Sequence, residues 1–112
     1  MVILTKEIIE KTYKKNVSII KIDDKYTSIE YGAFYKYKKL TTITMNNIKS
    51  IEPSAFSGYT ELTTINMPNI INISTSAFSG CTRLTNIYIP NLISIGQEAF
   101  CGCSSLCWQR PV

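Results

Sequence analysis

The chain contains no histidine. That removes the commonest general base at neutral pH, the Ser-His and Cys-His nucleophile pairs, and the most frequent metal ligand. No catalytic residue and no cofactor site can be named, and the chain reads as a non-enzyme. Charge is sparse as well, at 18% of residues, and Arg83 and Arg110 are the only arginines. No arginine cluster or basic-aromatic stripe points to nucleic acid. Nowhere do about 18 apolar residues run together, so no membrane-spanning helix is expected. Val2-Ile3-Leu4 is too short for the apolar core of a secretory signal and has no basic segment before it. As it stands the chain reads as soluble and cytoplasmic.

What is present fits one folded domain: 112 residues, 45% of them apolar. The net charge of +4 is uneven. Residues 1–50 carry 10 basic and 5 acidic groups, whereas 51–112 carry 2 and 3. The lysines scatter over what should be the outer surface, and a solvated lysine face is the simplest account of them.

The dominant feature is a repeat of 22 residues. LTTITMNNIKSIEPSAFSGYTE (40–61), LTTINMPNIINISTSAFSGCTR (62–83) and LTNIYIPNLISIGQEAFCGCSS (84–105) align without a gap. Ala-Phe pairs mark one phase at Phe34, Phe56, Phe78 and Phe100, and leucines mark another at Leu40, Leu62, Leu84 and Leu106. Fixed-period self-similarity of this length signals a leucine-rich-repeat solenoid. Within a repeat, Ile65 and Met67 alternate as on a strand with one buried face, and Thr63, Thr64 and Asn66 point outward. The chain turns after Pro68-Asn69, because proline lacks a ladder donor. Ile70 and Ile73 carry apolar groups back inward, Ala77-Phe78 plug the return segment, and Gly80 permits the turn out of it. One such coil cannot bury its own flat faces, so equivalent side chains must stack from coil to coil.

The ends differ. Residues 5–15, TKEIIEKTYKK, predict a short helix with Thr5 as N-cap, Glu7 in the first turn and an apolar side of Ile8, Ile9 and Tyr13. Residues 1–16 are thus an N-terminal capping helix, and 17–106 the solenoid, in coils 17–39, 40–61, 62–83 and 84–105. The first coil has one residue more than the others, which Asp23-Asp24 should absorb in a turn. Pro53 predicts a single helical or 3₁₀ turn in each return segment. The repeat fails in LCWQRPV, leaving 107–112 as an irregular tail. Either Trp108 folds back over the last coil or the array is partial, part of a longer solenoid. The fold class is therefore a β-rich α/β solenoid: a horseshoe segment with a parallel sheet of about four to five short strands, short return segments and a capping helix.

The strand exit IPN (89–91) and the returns AFSGC (77–81) and AFCGC (99–103) closely resemble the BspA-type leucine-rich repeats, over about residues 17–106. The commonest leucine-rich class ties its turn with an asparagine at repeat position 9. Here that position holds Ile48, Ile70 or Leu92, so no asparagine ladder is expected there. The resemblance implies a curved solenoid with one parallel sheet, used in surface or secreted proteins of mucosal bacteria and parasitic protists that bind host matrix proteins or other cells.

The candidate binding surface is the outward face of the strands: Thr41, Thr42 and Thr44, then Thr63, Thr64 and Asn66, then Thr85, Asn86 and Tyr88. Threonine is also simply a good strand former, but an exposed tyrosine on such a face is a typical anchor for a partner. Cys81 and Cys103 take the repeat position held earlier by Tyr37 and Tyr59. They read as stacked, buried small hydrophobes, or as a disulfide in an oxidising compartment, since strand spacing brings the two coils close enough. A four-thiolate zinc site with Cys101 and Cys107 has the wrong spacing. The expectation is a protein-interaction module that presents its sheet face to an unidentified protein, with adhesion as one use. The alternative is a structural partial array that self-associates through its last coil.

Overall fold

The computed structural model describes residues 2–106. The elements in chain order are β1 (Ile3–Leu4), α1 (Lys6–Thr12), β2 (Ile19–Lys21), β3 (Ser28–Ile29), β4 (Thr42–Thr44), β5 (Ser50–Ile51), β6 (Thr64–Asn66), β7 (Asn72–Ile73), β8 (Asn86–Tyr88) and β9 (Ser94–Ile95). They wind into about four stacked coils. Strands β2, β4, β6 and β8 form one parallel sheet in that order. Strands β5, β7 and β9 form a second, also parallel, where the chain comes back across the coil.

Register follows the 22-residue period. Ile43 pairs with Ile65, and Ile65 with Ile87, so like side chains sit over like. Ile43 and Ile65 are buried between half-buried neighbours, the alternation that a one-sided strand requires. Leu62, Met67 and Ile70 are fully buried beside Ile65, and Ile73 enters from β7. The phenylalanines make one column: Phe34, Phe56, Phe78 and Phe100 stack with centroid separations of 5.6, 5.3 and 5.5 Å. Among the described residues no charged, amide, serine or threonine side chain is buried, so the interior is stabilised mainly by apolar stacking, and its side-chain donors are tyrosine hydroxyls and cysteine thiols.

The return segments differ from the expected helical or 3₁₀ turn. Ala77, Ser79 and Cys81 donate their N–H groups three residues back, to Ser74, Ser76 and Phe78. The intervening N–H groups of Ser76, Phe78 and Gly80 reach across to the next coil instead, to the carbonyls of Gln97, Ala99 and Cys101 at 3.1, 2.8 and 2.7 Å. A helix would point its N–H groups along its own axis, leaving none directed sideways to tie this coil to the next. Alternating the two systems requires left-handed backbone, found at Ser76 (φ 57°) and Gly80 (φ 77°).

At the N-terminus the Thr5 hydroxyl accepts the Ile8 N–H, as expected for the N-cap. The helix stops at Thr12, short of Lys14-Lys15. Tyr13 is extended, which brings its hydroxyl to the Lys21 carbonyl at 3.0 Å. Ile9 is buried in the common core and Ile8 and Tyr13 pack against it, while β1 adds to β3. The extra residue of the first coil is taken up where Asp23 accepts the N–H groups of Lys25 and Tyr26. At the other end Ile87, Ile89, Leu92 and Ile95 are only half-buried, whereas Ile65, Met67, Ile70 and Ile73 one coil earlier are buried. The expectations for Trp108 and the tail fall outside the described residues.

Candidate binding face

Pairing of β2, β4, β6 and β8 sorts the outward side chains into two rows. One runs Ile19, Thr42, Thr64, Asn86, and the other Lys21, Thr44, Asn66, Tyr88. The structure thus brings Thr42, Thr44, Thr64, Asn66, Asn86 and Tyr88 together on one face. Tyr88 is 57% exposed and stands at the end of its row. A groove of about 680 Å³ opens beside it, walled by Thr64, Asn66, Thr85, Asn86, Tyr88 and Leu106.

Thr41, Thr63 and Thr85 have a different job. Each donates its backbone N–H to the preceding coil, to Ser18, Thr41 and Thr63. Their hydroxyls lie 3.0, 3.1 and 3.5 Å from the same carbonyls. They tie coil to coil at the strand entry, which occupies the hydroxyl proton a partner would use. Ile19 and Lys21 extend the two rows. Their outward placement follows from Ile20 and Ile22 facing in, so alternation in SIIKI was the available signal. Lys21 is the only charged side chain in the rows, so the face is almost neutral and offers hydroxyls, amides and one phenol.

An asparagine ladder is present, one place earlier than in the common class. Asn47, Asn69 and Asn91 at repeat position 8 donate their side-chain amides to the carbonyls of Asp24, Asn46 and Pro68 in the preceding coil, at 2.7, 2.6 and 2.8 Å. The recurring asparagine in NN, PN and PN was the signal for it.

A second ladder runs through the interior. The Tyr37 hydroxyl donates to the Tyr13 carbonyl at 2.9 Å, and the Tyr59 hydroxyl to the Phe34 carbonyl. Cys81 and Cys103 continue the series, their thiols donating to the carbonyls of Phe56 and Phe78 at 3.1 and 3.0 Å. The cysteines are therefore more than small hydrophobes: they inherit the donor role of the tyrosines. Burial pushes the Tyr59 hydroxyl above its ordinary value, helped by Cys81 beside it. The hydrogen bond with Cys103, and then burial, push the Cys81 thiol up. Both thiols are free and Cys101 is exposed. Among the described residues no group of three His, Cys, Asp or Glu side chains could hold a metal ion, and Cys107 lies outside that range. No helix among them is long and apolar enough to cross a membrane.

Coils of constant length, stacked in register with a parallel sheet along one side and columns of like apolar residues inside, define a leucine-rich-repeat solenoid. The family model described as BspA type Leucine rich repeat region (6 copies) matches residues 5–107, and the chain belongs to that family. No curated protein and no solved structure matches it.

Proposed function

We propose that the chain is a non-enzymatic protein-binding module that presents the β2-β4-β6-β8 face to a partner protein at a cell surface or in a secreted setting. The observation that carries this is the exposed end of the second row, where Tyr88 stands over a groove walled by hydroxyl and amide side chains. Rigid rows on a sheet cost little ordering entropy on binding, and a large aromatic in the midst of small polar groups is the arrangement of an interface anchor. Repeat solenoids serve protein interaction in general through such extended faces. Adhesion to extracellular-matrix proteins is the specific use we favour.

The immobilised chain, exposed to a panel of purified matrix proteins, tests this. Retention of one of them, reduced about tenfold or more by a Tyr88→Ala, Thr64→Ala double change that leaves circular dichroism unaltered, is the expected result. Retention unaffected by the double change excludes the sheet face, and retention of none excludes matrix adhesion.

The half-burial of Ile87, Ile89, Leu92 and Ile95 favours a second reading, self-association through the last coil. Light scattering decides it: a monomer across the concentration range removes this reading and leaves the first intact.

A further inference from the structure

On the side of the solenoid away from the sheet face, the first coil carries a groove of about 290 Å³ lined by Lys6, Tyr31, Gly32, Tyr35, Lys38 and the segment Pro53 to Ala55. Tyr31 and Tyr35 are 69% and 62% exposed. Comparison of the coils isolates them. Inward positions are shared, as Phe34, Phe56, Phe78 and Phe100 show. The outward place of Tyr31 is Pro53, Thr75 and Gln97 in later coils, and that of Tyr35 is Ser57, Ser79 and Cys101. Lys38 likewise becomes Thr60, Thr82 and Ser104. Stacking therefore does not demand aromatic or cationic groups at these places, and the exposed rings bury little of themselves in return.

The fold also adds Lys6, distant in sequence, whose ammonium lies 5.6 Å from the Tyr35 ring centroid. The Lys38 ammonium sits 4.4 Å from the Tyr59 ring and donates to the Ser57 carbonyl at 3.1 Å. Both ammoniums are thus held in place with donors to spare. The ion pairs among the described residues are Lys11–Glu7, Lys36–Glu10 and Arg83–Glu61, so neither Lys6 nor Lys38 faces a carboxylate partner. Glu30, the near acid, accepts the Lys6 backbone N–H at 2.6 Å.

We propose that this groove binds an acidic, sulfated saccharide. The phenol rings offer flat faces for the C–H side of a sugar ring, and the two ammoniums pair with its sulfate or carboxylate groups. An acidic peptide fits less well, since acidic motifs are usually held by clustered arginines, whose planar forks pair with carboxylates through two parallel hydrogen bonds. Both cations of this groove are lysines, and the rest of its lining is two exposed phenol rings and small or apolar residues.

The test is calorimetric titration of a heparin-derived octasaccharide into the full chain at low and moderate salt. Binding should weaken with salt, and Lys6→Gln with Lys38→Gln should weaken it by about tenfold or more. Tyr35→Ala should cost about threefold. Lys14→Gln with Lys15→Gln, the same loss of charge at exposed sites elsewhere, should change affinity by less than about twofold, as should Tyr88→Ala. Absence of binding overturns the proposal. So does an equal loss in the Lys14, Lys15 pair, which would mean net charge alone, or a polyglutamate peptide binding as tightly as the octasaccharide.

Discussion

Phe56 and Phe78 lie face to face, ring centroids 5.3 Å apart and planes within 4° of parallel. Each ring is fully buried and is the neighbour of another phenylalanine on its far side. Phe78→Ala therefore removes contacts from two coils at once, and should cost about 3 to 5 kcal/mol. Urea denaturation checks this, with Phe100→Ala as comparison. Phe100 is only half-buried and should cost less. A loss below about 1 kcal/mol at Phe78 would mean that the column is not what holds the coils together.

The asparagine ladder makes a separate prediction. Asn69 donates to the Asn46 carbonyl at 2.6 Å and lies 3.5 Å from the Asn47 side-chain oxygen. Asn69→Ala leaves that carbonyl without its donor and should cost about 1 to 2 kcal/mol. Asn69→Asp should cost more, because a carboxylate sets acceptor against acceptor. Equal denaturation midpoints for the wild type and both variants would remove the ladder from the list of stabilising contacts.

Stacking is legible because it repeats: period, phase and alternation are enough to place Leu62, Ile65, Met67 and the phenylalanine column. Ser50-Ile51, Asn72-Ile73 and Ser94-Ile95 were not seen as a second sheet, since strands of two residues are too short to show alternation. The return segments misled because Pro53 is compatible with a helical start, while the choice between helix and ladder is made by the next coil's carbonyls. On the candidate face, the rows could be read from alternation. That Thr41, Thr63 and Thr85 spend their hydroxyls on backbone carbonyls could not, because an outward threonine looks the same in sequence whether its proton is free or taken. The groove at Tyr31 and Tyr35 was invisible for another reason: Lys6 reaches it only once α1 has folded over the first coil.

Two neighbouring positions should respond in opposite directions. Glu98 has φ 58°, in the left-handed region, at the place where the first coil has Gly32 with φ 70°. Glu98→Gly relieves that strain, and should raise stability by about 0.5 to 1 kcal/mol after the greater freedom of glycine in the unfolded chain is subtracted. Gly96, two residues earlier, is the reverse case. A methyl group there would come within 2.3 Å of the Thr75 nitrogen and 2.5 Å of the Ser74 carbonyl carbon. The backbone cannot yield as a flexible side chain could, so Gly96→Ala should cost about 1 to 3 kcal/mol. Thermal unfolding of the two variants side by side checks both signs.

The interior donor series sets an alkaline limit. Tyr59, through burial and then Cys81, and Cys81, through Cys103 and then burial, both hold their protons above the ordinary phenol and thiol values. Between its unfolded and folded values each of these two groups keeps a proton in the folded chain that it loses in the unfolded one, so their contribution falls as pH rises, while Cys103, whose thiol the hydrogen bond with Cys81 pulls down, works in the opposite direction. The stabilisation is complete below the unfolded thiol value of about 8.5 and falls as pH climbs past it and past the phenol value of about 10. Tyr59→Phe removes one of the titrating donors. It should lower stability at neutral pH by about 1 kcal/mol, through the lost hydrogen bond to Phe34, while flattening the decline at high pH. Urea midpoints measured from pH 7 to 11 check this. Parallel profiles for the two proteins would show that Tyr59 does not contribute to the alkaline transition.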